Sequence, residues 1–132
     1  MEFNLKVGMS YKAELQVELK DTAVSLGSGS VKVLATPRMI ALMENAALNA
    51  VDADLPEGYS TVGTHLDAKH MAATPIGMKV YAEAELVKIE GKKLTFNVVA
   101  YDEKDKIGEG THTRYVIAVD SFIEKTNQKL NG

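Results

Sequence analysis

Apolar and polar side chains alternate with a period of two near the start of the chain. The apolar positions of this segment are Tyr11, Ala13, Leu15, Val17 and Leu19. Lysine, glutamate and glutamine occupy the positions between them, which predicts a half-buried β-strand. Residues 21–30 are then predicted to form a loop, and residues 31–33 a short strand.

The period changes at residue 36. Thr36 and Pro37 predict the start of a helix, because threonine can cap a helix and proline suits its first position. Residues 37–52 contain no glycine and are rich in Ala, Leu and Met, which favours a helix over this range. Pro56 and Gly58 indicate the loop that follows it.

Beyond residue 60 the chain returns to strand-like alternation. The first of these strands is predicted to place one face toward the core: Val62, Thr64, Leu66, Ala68 and His70. The remaining predicted elements are strands over 78–89, 94–100 and 107–119, turns at 90–92 and 102–106, and a short terminal helix over 121–130. Because short turns join neighbouring strands, the sheet is predicted to be antiparallel and the fold class α+β.

Length and composition restrict the class of protein. The 132 residues are expected to form one domain over residues 1–132. A net charge of −3 gives no support to nucleic-acid binding, and the absence of cysteine excludes disulfides and thiol chemistry. The N-terminus does not resemble a signal peptide, and no apolar run is long enough to span a membrane. We therefore expect a cytoplasmic protein with neither a nucleic-acid nor a membrane partner.

Glu44 occupies an unusual position on the predicted helix. The polar side chains Arg38, Asn45, Asn49 and Asp52 form a stripe about 60° wide, and Glu44 lies about 80–120° from it among apolar neighbours. A carboxylate in an apolar sector is unfavourable unless it is paired or protonated, and such groups cluster at functional sites. The alternative is a glutamate at the margin of the stripe that reaches solvent.

Three histidines offer further candidate chemistry. His70 lies on the predicted core face and should point toward the helix, where it can serve as a general base. The alternative is a core histidine that bonds a backbone carbonyl. His65 lies on the opposite face and is predicted to be solvated, and His112 is predicted to be structural. Their spacing matches no metal-binding motif, so no metal site is predicted.

Several short motifs occur in an order that resembles a known family. They are Ala35-Thr36-Pro37, Leu42-Met43-Glu44, Val62-Gly63-Thr64, the segment 70–75, the segment 87–94 and the segment 110–114. Each motif alone is weak, but their order and spacing together are fairly specific and extend over residues 5–128. The chain resembles the hotdog-fold thioesterases, specifically the fluoroacetyl-CoA thioesterase family.

The resemblance implies a fold, an assembly and an activity. It implies a single hotdog domain, in which an antiparallel sheet wraps one long central helix, and a homodimer whose sheets join edge to edge with sites near the interface. It also implies that the chain hydrolyses a small acyl-CoA thioester to free acid and coenzyme A, with no cofactor.

Specific residues follow from the same resemblance. The family's catalytic threonine, glutamate and histidine correspond to Thr36, Glu44 and His70, and a glycine near the acyl group corresponds to Gly63. Glutamate can activate water or attack the carbonyl, histidine can transfer the proton, and N–H groups at the helix N-terminus can stabilise the oxyanion. Coenzyme A also carries phosphates, and among Arg114, Lys92 and Lys93 we favour Arg114 as the residue that binds them. The alternative is that Arg114 is a solvated strand residue.

Two other functions compete with hydrolysis. A hotdog enoyl-thioester hydratase would pair an aspartate with a histidine, and no such aspartate stands at the start of the helix. A non-enzymatic acyl-CoA-binding module would keep the pocket and lack the acid–base pair that Glu44 and His70 form. The family's namesake carries an aromatic lid before the helix, whereas residues 20–34 are short and contain no aromatic residue. We therefore expect broad acyl tolerance.

Overall fold

The computed structural model describes residues 3–132 and contains a five-stranded antiparallel sheet. Its strands are β1 (Ser10–Gln16), β2 (Tyr59–His70), β3 (Lys79–Glu90), β4 (Lys93–Tyr101) and β5 (Lys106–Ala118). They lie side by side in the order β1-β3-β4-β5-β2. The predicted antiparallel α+β architecture is therefore confirmed, and β1 and β2 form the two edges of the sheet.

Three helices accompany the sheet: α1 (Ala23–Leu26), α2 (Thr36–Val51) and α3 (Val119–Asn127). The long predicted helix is confirmed and begins one residue earlier than expected. The expectation that Thr36 caps it is wrong, since the carbonyl of Ala35 accepts the first helical hydrogen bonds and Thr36 belongs to the first turn. No helix within residues 3–132 is both long and apolar enough to cross a membrane.

The core lies between α2 and the concave face of the sheet. The helix buries Met39, Leu42, Met43, Ala46, Ala47, Ala50 and Val51. The strands β3 and β4 bury the alternating residues that the sequence predicts, namely Val80, Ala82, Ala84, Leu86, Leu94, Phe96, Val98 and Ala100. Each large side chain buried here contributes about 1.5–3 kcal/mol. Packing of this kind fixes the position of α2 against the sheet.

A β-bulge divides β2 into two halves. Gly63 pairs with Arg114 and His65 pairs with Thr113, so Thr64 has no partner position on β5. Because an extra residue reverses the alternation of a strand, the predicted core face is wrong before the bulge and correct after it. In the first half Thr61 and Gly63 face the concave side; in the second half Leu66, Ala68 and His70 do so.

Residues 19–34, here called the strap, are partly helical: residues 19–26 contain a 3-10 turn and α1 where the sequence predicts a loop, and residues 27–30 are irregular as predicted. A 3-10 turn, Leu19–Asp21, leads into α1, which Thr22 caps at its start and Gly27 ends with a positive φ of 70°. Asp21 is buried and accepts a hydrogen bond from Arg38 at 3.0 Å. The short strand expected at 31–33 reduces to isolated bridges, in which Leu34 pairs with Thr22 inside the strap and Val33 pairs with Pro75.

Candidate active site

The first turn of α2 meets the end of β2 at Thr36 and His70. The hydroxyl oxygen of Thr36 lies 2.7 Å from Nδ1 of His70. The other ring nitrogen, Nε2, is buried and has no hydrogen-bond partner among residues 3–132. Buried polar atoms without partners are rare in native proteins and mark groups that bind something else. The pair therefore presents one imidazole nitrogen to a ligand.

Protonation of His70 follows from its surroundings. Burial lowers its pKa below the ordinary value of 6.5, and the backbone of Ala72 partly opposes the shift. The imidazole is therefore neutral near pH 7. If Nδ1–H donates to Thr36, Nε2 is a base; if the Thr36 hydroxyl donates to Nδ1, Nε2 carries a proton that it can deliver. The pair can consequently serve in either direction of a proton transfer.

A cavity of about 300 Å³ opens beside this pair. Apart from Thr36 and His70, its lining consists of Ala23, Ser28, Val33, Leu34, Met71, Ala72 and Ala73. Most of these side chains are small, and the strap supplies the first four. A larger concavity of about 490 Å³ lies on the outer face of the sheet and includes none of the predicted site residues. Size alone therefore does not identify the site.

Glu44 lies elsewhere on α2, about 12 Å further along the helix axis than Thr36. It faces Gly63: a Cβ atom added to this glycine would lie 3.1 Å from Oε2 of Glu44 and 2.9 Å from Cε1 of His112. Glu44 is half-buried, and its carboxylate has no hydrogen bond or ion pair within the described part of the chain. The missing side chain at Gly63 leaves room for this carboxylate.

Arg114 completes this second cluster. Its guanidinium is buried, with Nε donating to the Thr61 hydroxyl and Nη2 to the Thr61 carbonyl, both at 2.8 Å. Nη1 lies 3.1 Å from Nε2 of His112. Burial lowers the pKa of Arg114, while the negative charges of Glu44 and Asp52 oppose the shift. The guanidinium faces the interior beside Glu44, whereas a contact with coenzyme A phosphates would require it at the surface.

Two members of this cluster are not among the predicted site residues. Thr61 reaches Arg114 because the bulge turns it toward the concave face. His112 was predicted to be structural, and it is indeed buried and hydrogen-bonded, yet it also borders Glu44 and Gly63. A glycine within a strand is the signal that indicates such a bulge.

The three predicted catalytic residues do not meet at one point within the chain. Thr36 and His70 form one pair, and Glu44 belongs to the cluster around Gly63. Seven positions of β2 separate Gly63 from His70, or about 20 Å along the strand. No hydrogen bond or ion pair within residues 3–132 joins Glu44 to either member of the pair.

The helix end near Thr36 also offers less than the sequence suggested. Pro37 has no N–H, and those of Arg38 and Met39 donate to the carbonyl of Ala35. The predicted stabilisation of an oxyanion by this end of α2 is therefore restricted to the N–H of Thr36, together with the positive end of the helix dipole.

Comparisons with known proteins find relatives over most of the chain. A family model described as fluoroacetyl-CoA-specific thioesterase matches residues 17–120. A fluoroacetyl-CoA thioesterase from Streptantibioticus cattleyicolor is 43% identical over 98 residues, which cover 74% of this chain and 70% of that protein.

Solved structures of related proteins share the fold of this chain. A phenylalanine-to-alanine variant of the fluoroacetyl-CoA-specific thioesterase superposes with a TM-score of 0.90 at 35% identity, covering 97% of this chain and 99% of that chain. A thioesterase superfamily member from Thermus thermophilus gives 0.86 at 26% identity, with 96% of each chain covered. A hot-dog-like protein from Thermanaerovibrio acidaminovorans gives 0.88 at 22% identity, covering 97% and 95%, and supports the fold alone. The predicted hotdog fold is confirmed.

Proposed function

This chain belongs to the fluoroacetyl-CoA-specific thioesterase family, and from that premise we propose that it hydrolyses short acyl-CoA thioesters to the free acid and coenzyme A. The observation that carries the proposal concerns Nε2 of His70, which is buried beside a cavity and has no hydrogen-bond partner among residues 3–132. Thr36 contacts the other nitrogen of the same ring. A related solved structure contains fluoroacetate and CoA.

Each predicted residue receives a role in this reaction. Glu44 takes a proton from water as the water attacks the thioester carbonyl, or attacks that carbonyl itself and is later released by water. The neutral Nε2 of His70 receives the proton of the attacking water and gives it to the departing thiolate, while Thr36 orients the ring. Gly63 leaves space at the carboxylate for the acyl group. One water is consumed in either route, and one acid and one thiol are released.

Two copies of the chain would bring these groups together. The edge strand β2 carries Gly63 and His70, and its outer edge has no neighbour within the described chain. If two β2 strands pair antiparallel about a two-fold axis, the Gly63 end of one lies beside the His70 end of the other. We therefore propose a homodimer in which Glu44 of one protomer serves the same site as Thr36 and His70 of its partner.

Mixing two inactive variants tests this assembly. A dimer of Glu44→Gln with His70→Ala contains one intact site if the two residues come from different chains. Random exchange should then restore about a quarter of the wild-type rate. Sites confined to single chains would give no restoration. Light scattering should report twice the chain mass of 14.3 kDa, and a monomer would contradict the dimer.

A panel of acyl-CoA and enoyl-CoA substrates tests the activity itself. Release of free thiol from acetyl-CoA or propionyl-CoA supports hydrolysis. Loss of enoyl absorbance without thiol release would indicate a hydratase instead. Binding without either reaction would indicate an acyl-CoA-binding module.

We propose that the chain acts in the cytoplasm as one domain over residues 1–132. Fractionation of cells that express the protein tests the location, and limited proteolysis tests the domain.

A further inference from the structure

The hydrogen bonds of His112 define its protonation state. Nδ1 lies 2.7 Å from the carbonyl oxygen of His65, which only accepts, so Nδ1 carries the proton. Nε2 lies 3.1 Å from Nη1 of Arg114, which only donates, so Nε2 is unprotonated. Both contacts are satisfied only by the neutral Nδ1–H tautomer. The ring is 1% exposed, so water does not compete for either bond.

Arg114 has an alternative partner close by. Nη1 of Arg114 and Oε2 of Glu44 both lie within 3.4 Å of the point where a Cβ of Gly63 would be, yet they form no ion pair. A buried guanidinium and a carboxylate in this position attract each other strongly. Three hydrogen bonds, two to Thr61 and one to His112, hold the guanidinium away from the carboxylate.

We propose that His112 is a positioning residue for the thioesterase reaction: its Nε2 retains Arg114 and so keeps the Glu44 carboxylate free to react. This inference rests on the proposed function. A carboxylate paired directly with Arg114 is a weaker base and nucleophile, because the ion pair stabilises its charge. Without the acceptor on His112, Nη1 is released to turn toward Glu44. The walls of the cavity beside Thr36 include none of Glu44, His112 and Arg114, so that movement leaves them in place.

The groups that face His112 are consistent with this role. Arg114 on β5 and Glu44 on α2 are the charged neighbours, His65 on β2 contributes its carbonyl, and Phe96 on β4 packs against the ring. Burial lowers the pKa of His112, with the positive charge of Arg114 adding to the shift; the His65 backbone and the charge of Glu44 oppose it. The imidazole therefore stays neutral near pH 7.

Two substitutions separate the two hydrogen bonds of the ring. The amide of glutamine places its terminal atoms near Nε2, so His112→Gln can still accept from Arg114. The shorter amide of His112→Asn lies near Nδ1 and keeps only the bond to the His65 carbonyl. Val98→Ala, in the buried core of the neighbouring strand β4, is the control for lost packing.

Steady-state kinetics and thermal unfolding of the purified protein provide the test. We expect His112→Asn to lower kcat about 10–100-fold, the range of a hydrogen bond to a charged group, with little change in KM. His112→Gln should retain most of kcat, although its unfolding temperature should be similar to that of His112→Asn. Val98→Ala should lower the unfolding temperature and leave kcat near the wild-type value. Equal losses in the Asn and Gln variants, in proportion to lost stability, would overturn the proposal.

A second measurement does not depend on folding of the variants or on hydrolysis. Nitrogen-15 NMR of histidine in the wild-type protein at pH 7 reports the tautomer of His112. A neutral ring with unprotonated Nε2 supports the hydrogen bond from Arg114 to His112, and a proton on Nε2 overturns the proposal. If the wild type hydrolyses no acyl-CoA while NMR shows the unprotonated Nε2, the proposed function is wrong but the hydrogen bond from Arg114 to His112 is still supported.

Discussion

The hydroxyl of Thr36 and Nδ1 of His70 are 2.7 Å apart although 34 positions separate the two residues in the chain. The contact joins the first turn of α2 to the last residue of β2. It fixes the plane of the imidazole. Nε2, which has no hydrogen-bond partner among residues 3–132, therefore keeps a constant orientation beside the cavity. Orientation of this kind reduces the entropy that must be lost before a proton is transferred.

Removal of the Thr36 hydroxyl should separate orientation from packing. Thr36→Val keeps the shape of the side chain and loses the hydrogen bond, so we expect kcat to fall about tenfold or more. Thr36→Ser keeps the hydroxyl and should retain most of the activity. The measurement is kcat and KM for both variants with one acyl-CoA. Equal activity in the two variants would show that the hydrogen bond to His70 does not contribute.

Substitution of Glu44 tests the carboxylate. Glu44→Gln keeps the volume and removes the charge, so turnover should fall at least ~10²-fold. Its unfolding temperature should be no lower than that of the wild type, since the half-buried carboxylate has no hydrogen-bond donor within residues 3–132. Activity close to the wild-type value would assign Glu44 a structural role.

Activity should depend on pH through His70. Burial lowers the pKa of His70 below 6.5, so the reactive neutral ring predominates from pH 6.5 upward. We expect kcat/KM to rise with pH through this region and then level off, with an apparent pKa that belongs to the coupled site. His65→Ala should leave the profile unchanged, because that side chain is exposed. A rising limb centred above 6.5 would contradict the assignment.

Stability should follow the same direction of pH. The pKa values of His70 and His112 are both lowered by burial, so the unfolded chain binds more protons than the folded chain below pH 6.5. The free energy of unfolding is therefore highest above this pH and decreases as pH falls. Thermal unfolding between pH 7.5 and pH 5 should show the decrease, and His112→Gln should show a smaller one.

A methyl group at Gly63 should disturb the carboxylate. The added Cβ would lie 2.9 Å from Cε1 of the buried His112 ring and 3.1 Å from Oε2 of Glu44. His112 is buried and hydrogen-bonded, whereas Glu44 has no hydrogen bond within residues 3–132, so Gly63→Ala should displace Glu44 and lower kcat, by as much as ~10²-fold for a shift of about 1 Å. Kinetics together with thermal unfolding measure this effect. An active Gly63→Ala variant would show that the acyl group does not need this space.

Acyl selectivity should be modest. The strap contains the short helix α1, which the sequence does not predict, but it contributes only small or aliphatic side chains to a cavity of about 300 Å³. Apolar pockets separate substrates that differ by one methylene by about 10–200-fold. Acetyl-CoA, propionyl-CoA and butyryl-CoA should therefore lie within that range in kcat/KM. A preference for fluoroacetyl-CoA over acetyl-CoA of ~10⁴ or more would show that selectivity needs no aromatic lid.

Local sequence patterns were sufficient to predict α2, the five strands and several of the candidate residues. Periods of two and 3.6 predicted α2 and the strands within one or two residues at most ends, because burial of one face imposes those periods directly. The apolar surroundings of Glu44 on the helix wheel and the inward position of His70 were also readable, since both depend on local geometry.

Which of these residues contact one another depends on how the elements pack in three dimensions. An unpaired residue at Thr64 reverses the face of β2, so Thr61 and Gly63 point toward Glu44 although alternation counted from His70 excludes them. The bond between Thr36 and His70 depends on where α2 crosses the sheet, which is set by packing of the whole core. Local patterns carry no information on such distances, because contacts between elements depend on the register and packing of all of them together.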